Sequence, residues 1–195
     1  MNTISTEADI VRIIKDDPWM MDVLKMVKKL NLPDWWIGAG FIRSKVWDTL
    51  HDYKTRTPLS DVDVIYFDKD DFSKEELNSE TSKKEIYYEN LLRSEDPSVN
   101  WSVTNQARMH VFHNDKPYTS SEDALSQWVE TATCIGVRLL ENNEVVLSTP
   151  RGIDDLINLV LRPSSTTPKG IESFNNRIQN KKWLSKWPKL KVVKD

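Results

Sequence analysis

A chain of 195 residues is long enough for one good hydrophobic core. Its net charge of −3, spread over 29% charged residues, excludes a protein that holds nucleic acid or an anionic membrane by overall charge alone. Cys134 is the single cysteine, which excludes an intrachain disulfide, and neither the acidic N-terminus nor any later stretch carries the apolar run of a signal peptide or a membrane span, so the expected setting is cytoplasmic.

Thr6 with Asp9 forms a capping box ahead of Ile10, Ile13 and Ile14 on one helical face. Asp17-Pro18 is a second start, an N-cap followed by proline at the first helical position. Met20, Val23, Leu24, Val27 and Leu30 then recur at helical spacing. Trp35 to Ile37 reads as a short buried strand entering Gly38-Ala39-Gly40, and Phe41 to Leu50 as the helix leaving that turn. After a polar stretch, Asp61 to Phe67 reads as a strand with two acids at its mouth.

Further along, a helix is expected around Glu85 to Leu92 and a third strand over Asn100 to Thr104. A helix capped by Ser120 should carry Leu125, Trp128, Val129 and Ala132, and a hairpin should turn over Asn142-Asn143. Two more helices are expected, near Ile153 to Leu161 and near Ile171 to Leu184. The fold class is therefore α/β of the α+β type, a mixed central sheet flanked by helices. One domain over 1–195 is expected, with its core at about 18–148 and a helical C-terminal extension at about 151–190.

The chemistry is concentrated where a strand meets a glycine turn and a second strand begins Asp-x-Asp. Residues two apart on a strand point the same way, so Asp61 and Asp63 share a face while Val62 and Val64 take the other. Two hard oxygen donors suit Mg²⁺, or Mn²⁺, which combines carboxylates with substrate phosphates. Gly38 and Gly40 leave the backbone bare where an anion could approach, and Arg43 sits one turn into the following helix. Asn105 and Arg108 follow the third strand near the mouth of such a site, where they could contact a nucleotide, or could be no more than a helix cap and a polar neighbour. Arg138, within the apolar strand Ile135 to Leu140, either faces solvent or meets a triphosphate. Lysines interleave with Trp183 and Trp187 from Lys181 to Lys194, a pattern of an amphipathic helix docked by its tryptophans or of a surface that clamps single-stranded RNA.

Gly38-Ala-Gly-Phe-Ile-Arg43 followed by Ser60-Asp-Val-Asp-Val64 resembles the DNA polymerase β-like nucleotidyltransferases. Within that superfamily it is similar to the head domains of class II CCA-adding enzymes and poly(A) polymerases, whose Gly-Gly-x-Val-Arg-Asp is matched by Ala39 to Ser44. Over nearly the full chain it resembles stand-alone bacterial nucleotidyltransferase-like proteins, through Pro58 to Asp68, Asn105 to His110, Glu130 to Thr133 and Trp183 to Leu190.

The resemblance implies an NTP substrate and a Mg²⁺-dependent transfer of a nucleoside monophosphate to a hydroxyl acceptor, RNA or protein among the options. It implies Asp61 and Asp63 as catalytic metal ligands. Gly38, Ala39, Gly40, Arg43, Ser60, Asn105, Arg108 and Arg138 are the nucleotide-binding candidates. The chain departs from the pattern at Ala39 and Ser44, and its third strand carries no acid. A nucleotide- or RNA-binding module without transfer activity, or a toxin–antitoxin component, are the competing readings.

Overall fold

The computed structural model describes residues 4–71, 82–113 and 116–193. Its first helix, α1 (Glu7–Lys15), starts on the Thr6–Asp9 capping box, with each side chain bonded to the other's backbone N–H. The Ser5 backbone N–H, then the Thr6 and Arg12 side chains, donate to the Asp9 carboxylate and hold it well below the ordinary range. Helix α2 (Pro18–Lys29) is capped by Asp17, whose carboxylate accepts from the Met20 N–H at 3.2 Å. Strand β1 (Trp36–Gly38) leads into α3 (Gly40–Leu50), and β2 (Val62–Tyr66) follows. Then come α4 (Lys83–Glu95) and β3 (Trp101–Asn105), a 3₁₀ turn over Gln106–Arg108, α5 (Met109–His113) and α6 (Ser121–Ser126). A second 3₁₀ turn spans Thr131–Thr133. The hairpin strands are β4 (Gly136–Leu139) and β5 (Val145–Ser148), with Asn143 at φ 63° taking the left-handed turn position.

The order β3-β2-β1-β4-β5 makes one five-stranded mixed sheet, parallel only between β2 and β3. The pleat divides its residues cleanly. Ile37, Val64, Val103 and Val137 face the helices and join Ile14, Leu24, Ile42 and Trp47 in the main core. Trp36, Ile65, Gly136 and Asp63 lie on the other face, where α6 covers only one part through Leu125.

Two expected helices are shorter than their patterns. The Ser120-capped helix ends at Ser126, because Glu130 beyond it pairs in a β-bridge with Pro163 and Trp128 must reach across to Gly38. The segment after Ile153 forms only α7 (Asp154–Ile157), and then β6 (Val160–Leu161) pairs in parallel with β7 (Lys191–Val192). Between them, α8 (Pro168–Lys181) and α9 (Trp183–Lys186) meet at Lys182, whose φ of 52° breaks the helical run. No helix among the described residues is long and apolar enough to cross a membrane.

Candidate active site

The open part of the sheet's second face carries the two acids. Asp63 lies within β2 opposite Ser102, whose hydroxyl donates to it, and Asp61 precedes the strand with Ser60 Oγ at 2.9 Å. Both carboxylates are half-buried and line a cleft of about 170 Å³. Burial, followed by the neighbouring charge of Asp61, pushes the Asp63 carboxyl upward. Two like charges held this way favour a bound cation.

The start of α3 forms the next wall. Ala39 is its N-cap, and no side chain caps the helix, so its first N–H groups remain available to an anion. Ala39 and Gly40 both line the cleft. Ala39 has φ −11°, outside the left-handed region, so its methyl group meets no conflict of that kind. Gly38 serves differently from expectation. The Trp128 ring lies against it, and a Cβ there would come within 2.4 Å of the indole. Its bare backbone accommodates a tryptophan rather than opening to the cleft.

Arg43 is buried beneath the C-terminal helices, with its guanidinium 4.5 Å from the Trp183 ring centre and 5.2 Å from that of Trp47. Its Nε has no hydrogen-bond partner among the described residues. Burial lowers its pKa to about 10, opposed by the charges of Glu130, Asp63 and Asp61, and it stays protonated at neutral pH. Arg177 of α8 flanks the same indole at 5.5 Å and holds the fully buried Glu130 at 2.9 Å. Glu130 also accepts from the Thr133 hydroxyl at 3.0 Å, so it is an anchor for Arg177 rather than a group free to take a substrate proton.

Lys181 and Lys186 also line the cleft, and the charge of Lys181 acts on Asp63. Sequence reasoning missed Arg177 and both lysines as site residues. They lie more than 110 positions beyond Asp63, and nothing local marks Arg177. The signal that could have found the two lysines was the lysine–tryptophan alternation. Its tryptophans do dock: Trp183 and Trp187 sit edge-on to Trp47 at 5.9 and 5.1 Å, and Trp187 Nε1 donates to the buried Asp48 at 2.8 Å. Two of its lysines line the cleft while Lys182 and Lys189 stay outside it, and Lys194 lies outside the described residues.

Three other candidates stand apart. Asn105 is wholly buried and occupied by backbone, accepting from the Asp68 and Ala107 N–H groups and donating to the Asp68 carbonyl. Arg108 is equally buried, in an ion pair with Glu85. Both sit at the far end of β3, where the cap reading holds and contact with the cleft does not. Arg138 shares the sheet face of Asp63 but lies beside Trp36, 4.4 Å from its ring centre and 3.9 Å from Asp34, away from the cleft lining.

Comparisons with known proteins bear on the family and the fold. The profile of a family described as "Nucleotidyltransferase" matches residues 25–192. A structure described as revealing a CCA-adding enzyme head domain superposes with TM-score 0.84 at 32% identity, covering 100% of this chain and 99% of the other. The Thermotoga maritima CCA-adding enzyme complexed with tRNA gives TM-score 0.56 at 10% identity, over 94% of this chain and 42% of that one. A CCA-adding enzyme in complex with CTP gives 0.57 at 12%, over 94% and 43%. The chain thus spans less than half the length of those two enzymes, and their likeness concerns the fold. A search of curated proteins finds no match. The chain belongs to a nucleotidyltransferase family and is built on the fold of the CCA-adding enzyme head domain.

Proposed function

We propose that the protein transfers a nucleoside monophosphate from a metal–NTP complex to a hydroxyl group, with release of pyrophosphate. The observation that carries this reading is the make-up of the cleft: two carboxylates, Asp61 and Asp63, share it with four cations, Arg43, Arg177, Lys181 and Lys186, and with an uncapped helix start. A triphosphate fits that make-up, its γ- and β-phosphates toward the cations and its α-phosphate toward the carboxylates.

Asp61 and Asp63 are the residues that would hold Mg²⁺ or Mn²⁺. No group of three or more His, Cys, Asp or Glu residues converges among the described residues. A donor set of two carboxylates fits an ion that fills its remaining positions with phosphate oxygens and water, as Mg²⁺ does. When bound, such an ion supplies charge neutralisation at the α-phosphate. The protein's own part is positioning. Arg43, clamped by Trp47 and Trp183, neutralises the departing pyrophosphate, and Glu130 keeps Arg177 aimed at the same place.

Replacement of one metal-binding carboxylate tests the reading. Asp63→Asn should lower Mg²⁺-dependent pyrophosphate release by at least about 10²-fold. Equal release by wild type and variant would refute it. A second reading, a nucleotide-binding module without turnover, is favoured by Ser102, which offers a hydroxyl opposite Asp63 where a third carboxylate could activate the acceptor. Tight Mg²⁺–NTP binding without pyrophosphate release on any acceptor would select it.

A further inference from the structure

A second cavity, of about 320 Å³, adjoins the cleft and shares Asp61 and the Pro58–Leu59 turn with it. Its other walls differ in character. Trp19 and Arg56 form a flat stack, with the guanidinium 4.1 Å from the indole centre, and Ser98, Val99 and Asn100 face them. Arg56 is the cation of this lining, and it is already engaged: one of its nitrogens donates to both carboxylate oxygens of Asp17 at 2.8 Å. The cavity therefore pairs a flat partly apolar wall with an acid at its inner edge, while the cationic wall belongs to the cleft.

We propose that this cavity is the acceptor site, and that it takes a small uncharged molecule carrying a hydroxyl beside a flat ring. The inference rests on the transfer reading above. In that reaction the incoming oxygen approaches phosphorus from the side away from the leaving pyrophosphate. The cations draw pyrophosphate into the cleft, and Asp61 marks the boundary at which the α-phosphate would stand, so the cavity beyond Asp61 is where the incoming oxygen enters. The acceptor oxygen bonds to the α-phosphorus as the bond to the bridging α–β oxygen breaks; pyrophosphate leaves into the cleft and the hydroxyl proton passes to solvent water.

The volume suits one ring-bearing small molecule. A nucleic-acid strand would need a positive groove to follow its backbone, whereas Arg56 is the one lysine or arginine among the described residues lining this cavity, its Nη2 is already bonded to Asp17, and Asp61 would repel the phosphates.

Adenosine, neutral and ring-bearing, is a suitable probe. It would be titrated into the full-length protein holding Mg²⁺ and a non-hydrolysable NTP, with the indole N–H signals followed by NMR and the Trp19 signal assigned through Trp19→Phe. Adenosine should move the Trp19 signal. Ser98→Trp, at an exposed position on the cavity rim, should weaken that binding by about tenfold or more while leaving NTP affinity within about twofold. Movement of the Trp128 or Trp183 signals without Trp19, or unchanged adenosine binding in Ser98→Trp, would overturn the proposal. So would tighter binding at Trp19 by an RNA trinucleotide than by adenosine. Wild-type protein that binds adenosine at Trp19 but binds no NTP would instead sink the transfer reading, a result distinct from failure at the cavity.

Discussion

Asp63 illustrates a conflict between stability and chemistry within one side chain. Burial and the adjacent Asp61 both disfavour its charge in the folded protein, so the charge costs stability whenever no cation is bound. Asp63→Asn should therefore melt at the same temperature as wild type or higher in chelator, and should lose the upward shift that Mn²⁺ plus NTP gives the wild type; thermal denaturation under the two conditions checks both halves. Gly38 is the complementary case, a residue whose role is purely steric. With the Trp128 ring where a methyl group would have to stand, Gly38→Ala should destabilise by about 1–3 kcal/mol, and Trp128→Leu in the same chain should recover part of that loss in urea titration.

Among the elements, α2 and α3 are joined through Asp17. It caps α2, receives Lys45 of α3 at 2.8 Å and accepts two bonds from Arg56. Burial alone would raise its pKa, but the Lys45 and Met20 hydrogen bonds and the Arg56 charge outweigh it and hold the carboxyl below its ordinary 3.8. A lowered folded-state value means the stabilisation is present above the unfolded value and fades as pH falls through the folded one. Asp17→Asn should cost about 2 kcal/mol at neutral pH, with the gap to wild type closing below pH 3.8 in denaturant titrations. The C-terminal helices are joined to α3 by packing instead. Trp187→Ala removes a fully buried ring and the bond to Asp48, and should cost about 3–5 kcal/mol while weakening NTP binding through the displaced Lys186.

Across the whole molecule, a net charge of −3 surrounds a cleft wall built from two arginines and two lysines. NTP affinity should therefore fall several-fold between about 0.05 and 0.5 M salt, as calorimetric titration would register; a flat response would mean the exposed lysines contribute nothing. Much of the fold and half of the site were legible from residue pattern. The strand–turn–helix at Trp36 to Leu50 and the alternation at Asp61 to Tyr66 are local, and local periodicity fixes which side chains share a face. What the pattern concealed was distance along the chain. Arg177 reaches the cleft lining paired with the buried Glu130, 47 positions away in sequence, and Asn105 stands apart because backbone groups at Asp68 and Ala107 claim its amide. The same limit explains the Ser120 helix, whose apolar spacing continues past Ser126 although a bridge from Glu130 to Pro163 ends it.

The docking of Trp183 and Trp187 on Trp47 also orders events during synthesis. The ribosome releases both acids and the glycine turn well before it has made the helices that carry Arg177, Lys181 and Lys186. A nascent chain can close its sheet early, and on the proposed reading the cations that would meet phosphate join the cleft only once α8 and α9 have folded back onto Trp47.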